Sequence, residues 1–173
     1  MSDTHHLDTY LADHLAGSVV ALELLEHLEK NHHEAGLQEF FAGLREDIVA
    51  DRHELESLMK RLAISASTLR SALAWLAEKA GRLKLRLDDS ADGSLRLLEA
   101  TELVATGIDG KRSLWLALAA ASEDSRILQG PDYGRLIERA IEQRRRIEPV
   151  RLAAARAAFR ESAVAKEESL ASV

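Results

Sequence analysis

Residues able to hold a metal are unevenly placed along this chain. All seven histidines stand at or before residue 53, and there is no cysteine. Thiolate nucleophiles, disulfides and cysteine-held zinc or iron–sulfur centres are thereby excluded. A dinuclear metal centre inside a helical bundle needs carboxylates from four helices and a Glu-x-x-His pair on two of them. Residues three apart on a helix face the same way and can grip one metal pair. One such pair occurs, Glu29-x-x-His32, at the expected tip between two helices, where a mid-bundle centre cannot form. Asp51-x-x-Glu54 lacks the imidazole, as do Glu138-x-x-Ile141 and Glu142-x-x-Arg145. His27, His32 and His33 beside Glu29 read as adventitious surface chemistry. Other chemistries fare no better. No Gly-x-Ser-x-Gly turn is present for a hydrolase, and Gly107-Ile-Asp-Gly110-Lys111 lacks the spacing of a phosphate loop. Ile64–Arg70, followed by Lys79, Arg82, Lys84 and Arg86, has some look of a DNA-reading helix, but Leu69, Leu73 and Leu76 are better used packing on other helices.

These residues are carried by helices. The hydrophobic content is 46%, aromatics are 4% and prolines number two. That mix favours helix over strand. Leucines from Leu7 to Leu28 predict a helix over about 3–30 with Ser2 or Asp3 as its cap, and Leu37 to Leu62 predict a second. A third, shorter helix is expected over 67–81, then an extended run over 83–87 and a turn over 88–93. A fourth helix is expected over 94–122, with a kink or break at Gly107 and Gly110. The last begins near Pro131 and is bent or broken near Pro149.

Polar residues interrupt the apolar seams of these helices. His14 takes a seam position on the first helix, Asp51 on the second, Glu102 on the fourth, and Arg144 and Arg151 on the last. A hairpin turning near residues 32–33 sets His14 against Asp51, and one turning near 127 sets Glu102 close to Arg151. The expectation is a core polar network of His14, Asp51, Glu102 and Arg151, since buried charges must be paired. Solvated seam-edge side chains are the simpler alternative. A metal site built from His14, Asp51, Glu54 and Glu102, taking iron or manganese, is the other.

Two helix hairpins joined by a connector of about 63–93 form the order of ferritin-like bundles, because such a connector can run the length of a helix pair. The segments LADHLAGS, AWLAEKAGRLKL, GIDGKRSLWLALA and RLAAARAAF resemble a group of uncharacterised bacterial proteins of ferritin-like type, over most of the chain. The resemblance implies that fold and brings no activity with it. The expectation is one all-α domain over 1–173, a ferritin-like four-helix bundle with a helical crossover between the second and fourth helices.

The net charge is −6. It is −9 over residues 1–60, +3 over 61–90 and zero over 91–173. A mildly acidic chain is a poor general binder of nucleic acid or anionic membrane. The polar, acidic opening residues predict no secretory leader, and no apolar run approaches membrane length. A cytoplasmic protein acting through its surface is expected, non-enzymatic, with a protein partner or self-association through Ala154, Ala157, Ala158 and Ala165.

Overall fold

A computed structural model describes residues 4–32, 34–65, 67–68, 70–72, 74 and 93–171. The described chain is all-helical, without strands. The long elements are α1 (Thr4–Asn31), α2 (Ala35–Arg61), α3 (Gly93–Asp124) and α4 (Tyr133–Ala171). A 3-10 turn, Arg126–Leu128, joins α3 to α4. Residues 67–68, 70–72 and 74 are helical, where the short third helix was expected. The rest of that helix, the extended run over 83–87, the turn over 88–92 and the cap at Ser2 or Asp3 lie outside the described residues.

Neither the break expected at Gly107 and Gly110 nor that expected at Pro149 occurs, and one helix start moves by two residues. α3 runs unbroken through Gly107 and Gly110. Neither glycine has a positive φ, so both accept helical geometry without special turns. α4 also continues through Pro149. The hydrogen bond that proline cannot make belongs to the carbonyl of Arg145, and both residues lie on the exposed side, where that carbonyl is open to solvent. Finally, α4 starts at Tyr133 rather than Pro131, because the Asp132 carboxylate accepts from the Arg135 amide at 3.0 Å and caps the helix.

α2 stops in a two-bond C-terminal motif. The amide of Ala63 donates to the carbonyl of Lys60, and that of Ile64 to Met59. Ala63 holds φ at 53° to allow it, and Ile64 packs against the cluster that contains Met59. Gly130 then closes against the end of α2. A side chain there would meet the Arg61 guanidinium, its Cβ 2.8 Å from Nη1.

The helices pack in antiparallel neighbours. α1 lies on α2, α3 on α4, and α1 on α3. Arg151 meets Glu102, and seven residues earlier Arg144 meets Asp109, seven residues later on α3. Leu11 and Leu15 of α1 share one apolar cluster with Leu55 and Leu58 of α2 and Leu114 and Leu118 of α3. Leu25 and Leu28 share a second with Phe41, Leu44, Ala100 and Val104. α2 and α3 therefore run in the same direction, each opposed to α1. The first cluster closes on Leu128, Tyr133 and Leu136, the second on Ala140 and Ile147. The core thus comes as two apolar bodies, one toward each end.

Candidate functional site

Between the two bodies the interior turns polar. Asp51 of α2 is 2% exposed and Gln143 of α4 is 1% exposed. Arg139 Nε donates to Asp51 Oδ1 at 2.6 Å, and Gln143 Nε2 donates to Asp51 Oδ2 at 2.8 Å. Lys111 Nζ, from α3, donates to both Asp51 Oδ2 and Gln143 Oε1. One buried carboxylate therefore has both oxygens occupied and faces two cations. Burial pushes the Lys111 ammonium below its ordinary range, and Asp51 pulls it back toward the charged form. The layer is possible because long side chains span the gap between α2 and α4. Acids on α2 meet arginines on α4 in opposite order: Asp47 with Arg146, Asp51 with Arg139, and Glu54 with Arg135 at 2.6 Å. The two outer pairs are half-exposed, so they fix register more than they add stability.

Asp51 and Lys111 also line a cavity of about 380 Å³ between α1, α2 and α3. Its apolar wall includes Ile48, Leu55, Ile108 and Leu114, and three glycines, Gly17, Gly107 and Gly110, border it. A Cβ added at any of these glycines would meet nothing within 4 Å. His14 lines it from α1, its ring edge-on to Tyr10 at 4.7 Å between centroids. Burial pushes His14 below the usual imidazole range, against the pull of Asp13. Trp115 completes the wall at 1% exposure, and its indole Nε1 is buried without a hydrogen-bond partner.

The four expected network residues are thus divided. His14 and Asp51 border one cavity, but the Asp51 carboxylate bonds to Lys111, Arg139 and Gln143 instead of His14. Glu102 and Arg151 do meet, with Arg151 Nη1 donating at 3.1 Å. That pair lies outside the core, because the Glu102 side chain is 50% exposed. It belongs to a surface ladder in which Arg151 and Arg144 both donate to Glu148 and hold its carboxyl down at about 2. The buried residue beside Glu102 is Thr101, whose hydroxyl donates to the carbonyls of Leu97 and Leu98. The alternative metal ligands have other partners. Glu54 is engaged by Arg135, Glu102 by Arg151, and Asp51 by three donors. No group of three or more His, Asp or Glu placed to hold a metal occurs among the described residues.

Sequence reasoning did not assign Lys111, Arg139, Gln143 or Trp115 to the site. Lys111 falls between the seam residues Ile108 and Trp115, and Gln143 between Ala140 and Ile147, so the helical spacing carried a signal for both. Arg139 carried none, since it reaches the core from the flank of α4. Comparison of the chain with protein-family models, curated proteins and solved structures finds no match.

Proposed function

We propose that this chain is a non-enzymatic ferritin-like four-helix bundle that acts as an interaction or structural protein, with an ion-paired layer at the level where that fold carries a metal pair. The observation that carries the reading is the Asp51 carboxylate, enclosed by Lys111, Arg139 and Gln143. A ligand carboxylate must offer a lone pair to a cation, and these donors occupy both oxygens while placing two positive charges where a metal ion would sit. The parallel course of α2 and α3 supports the topology, because it requires a connection running back along a helix of 27 residues, about 40 Å. The test is metal analysis of the untagged protein after exposure to iron, manganese and zinc. No stoichiometric metal is expected. One or two ions per chain, lost on Asp51→Ala, would overturn the reading.

The surface that supports an interaction role is on α4. Ala154 and Ala158 are buried against the chain itself. Ile141, Leu152, Phe159 and Leu170 are exposed, and steps of eleven, seven and eleven residues place them on one side of the helix. A second copy is the partner proposed here. Sedimentation velocity should show association that Phe159→Glu weakens; a monomer at all concentrations removes self-association.

A further inference from the structure

We propose that the cavity between α1, α2 and α3 binds a small organic acid with an apolar body, its carboxylate lying between Lys111 and Trp115. The space is of the right size, about 380 Å³, where small-molecule pockets run from about 300 to 1,000 Å³. It is kept open by sequence. Gly17, Gly107 and Gly110 all stand inside long helices, where glycine is the poorest choice short of proline; Gly17 and Gly107 are exposed at its rim, and half-buried Gly110 leaves space that a side chain would enter freely.

The chemistry of the walls selects the ligand. Ile48, Leu55, Ile108 and Leu114 suit an alkyl or phenyl body. Among the polar lining groups, Lys111 has three N–H groups, two of them given to Asp51 and Gln143. Trp115 adds an indole N–H that is buried and unpartnered. Such a donor demands an acceptor, because a buried polar group left unmade is costly. Charge decides which acceptor. Asp51 carries one negative charge against the two cations Lys111 and Arg139, so an entering carboxylate restores balance where a neutral acceptor does not. The other charges point the same way. Arg52 is already paired with Glu56, and Asp13 is exposed at the outer wall, where it repels a carboxylate inward.

Isothermal titration of the full chain with octanoate, 4-phenylbutanoate and their primary amides tests this directly. The acids should bind, and each amide should bind about tenfold more weakly, the loss expected when a charged hydrogen bond becomes a neutral one. Trp115→Phe should weaken octanoate about tenfold while leaving the apolar wall in place. The Trp115 indole N–H resonance, assigned by its loss in that variant, should shift on adding octanoate. Gly110→Leu should abolish binding without lowering the melting temperature; Gly110→Met, with a more flexible side chain, serves if that variant does not fold. Failure of both acids to bind at millimolar concentration would overturn the proposal. So would equal affinity for acid and amide, or full binding by a folded Gly110 variant. Metal analysis bears on none of these readouts, so this inference and the functional reading can fail separately.

Discussion

Asp51 sets the charge balance of the interior, and its removal is the most informative single substitution. Asp51→Ala leaves Lys111 and Arg139 partly buried without their counter-ion, a loss expected to cost about 3–5 kcal/mol in urea unfolding. A double-mutant cycle with Lys111→Met should show coupling well above about 0.5 kcal/mol, because the methionine removes the charge that the first change orphans. The same cycle with His14→Ala should be additive within about 0.5 kcal/mol, since the Asp51 bonds go elsewhere. His14 instead contributes a pH dependence. Its folded pKa lies below the ordinary 6.5 through burial, so the unfolded chain binds the proton more readily. The stability it supports is present above 6.5 and falls as pH drops through that value toward the folded pKa. His14→Gln should flatten this part of the stability profile. Glu148 shifts in the same direction at lower pH. Hydrogen bonds from Arg151 first and Arg144 second hold its carboxyl at about 2, so its contribution to stability fades only as pH falls from the ordinary carboxylate range toward that value. In a carbon-detected NMR titration, Arg151→Gln should raise the Glu148 midpoint.

At the scale of elements, helix ends and glycines make the predictions. Ala63 adopts a left-handed φ to close α2, which costs a non-glycine residue about 1 kcal/mol or more. Ala63→Gly should recover about that much in thermal unfolding. Gly107 is exposed within α3 with open space around its Cα, so Gly107→Ala should stabilise by about 0.5–1 kcal/mol. The same elements show how far the sequence could be read. The hairpin arithmetic that set Glu102 close to Arg151 found its partner. It failed on depth, because a period of 3.6 leaves two adjacent residues competing for each seam position. On α4 the seam runs through Leu136, Ala140, Gln143 and Ile147, so Gln143 turns inward and Arg144 stays at the edge. On α3 the same ambiguity exchanges Thr101 for Glu102. Asp51 was legible because apolar neighbours at Ile48 and Leu55 fix it on both sides. Its partners were not, because long cationic side chains reach a buried site from positions that spacing assigns to the flank.

Across the whole molecule, the two apolar clusters meet at the layer of Asp51, Lys111, Arg139 and Gln143, and the cavity opens at the same level. Three helices contribute to that layer, so it ties the register of α2 and α3 to that of α4 in a way that leucines, which slide past one another at similar energy, do not. Desolvating such charges is expensive, and a buried ion-paired group is often no more stabilising than apolar residues of similar volume. The layer should therefore be neutral or costly for stability as a unit even though each member is needed once the others are present. Asp51→Leu, Lys111→Met, Arg139→Leu and Gln143→Leu made together should be neutral or stabilising by about 1–4 kcal/mol, in contrast to the large loss from Asp51→Ala alone. The specificity argument adds a second expectation for the same protein. Without the layer, the two clusters merge into one continuous apolar core, and only the half-exposed pairs Asp47–Arg146 and Glu54–Arg135 still tie α2 to α4. Its NMR spectrum should then show exchange broadening along α2 and α4 that the natural chain lacks. Sharp, singly populated resonances in a fully stable quadruple variant would mean that packing alone sets the register. The charged layer would then have to be explained by what the adjoining cavity holds, which makes organic-acid binding by that variant the deciding measurement.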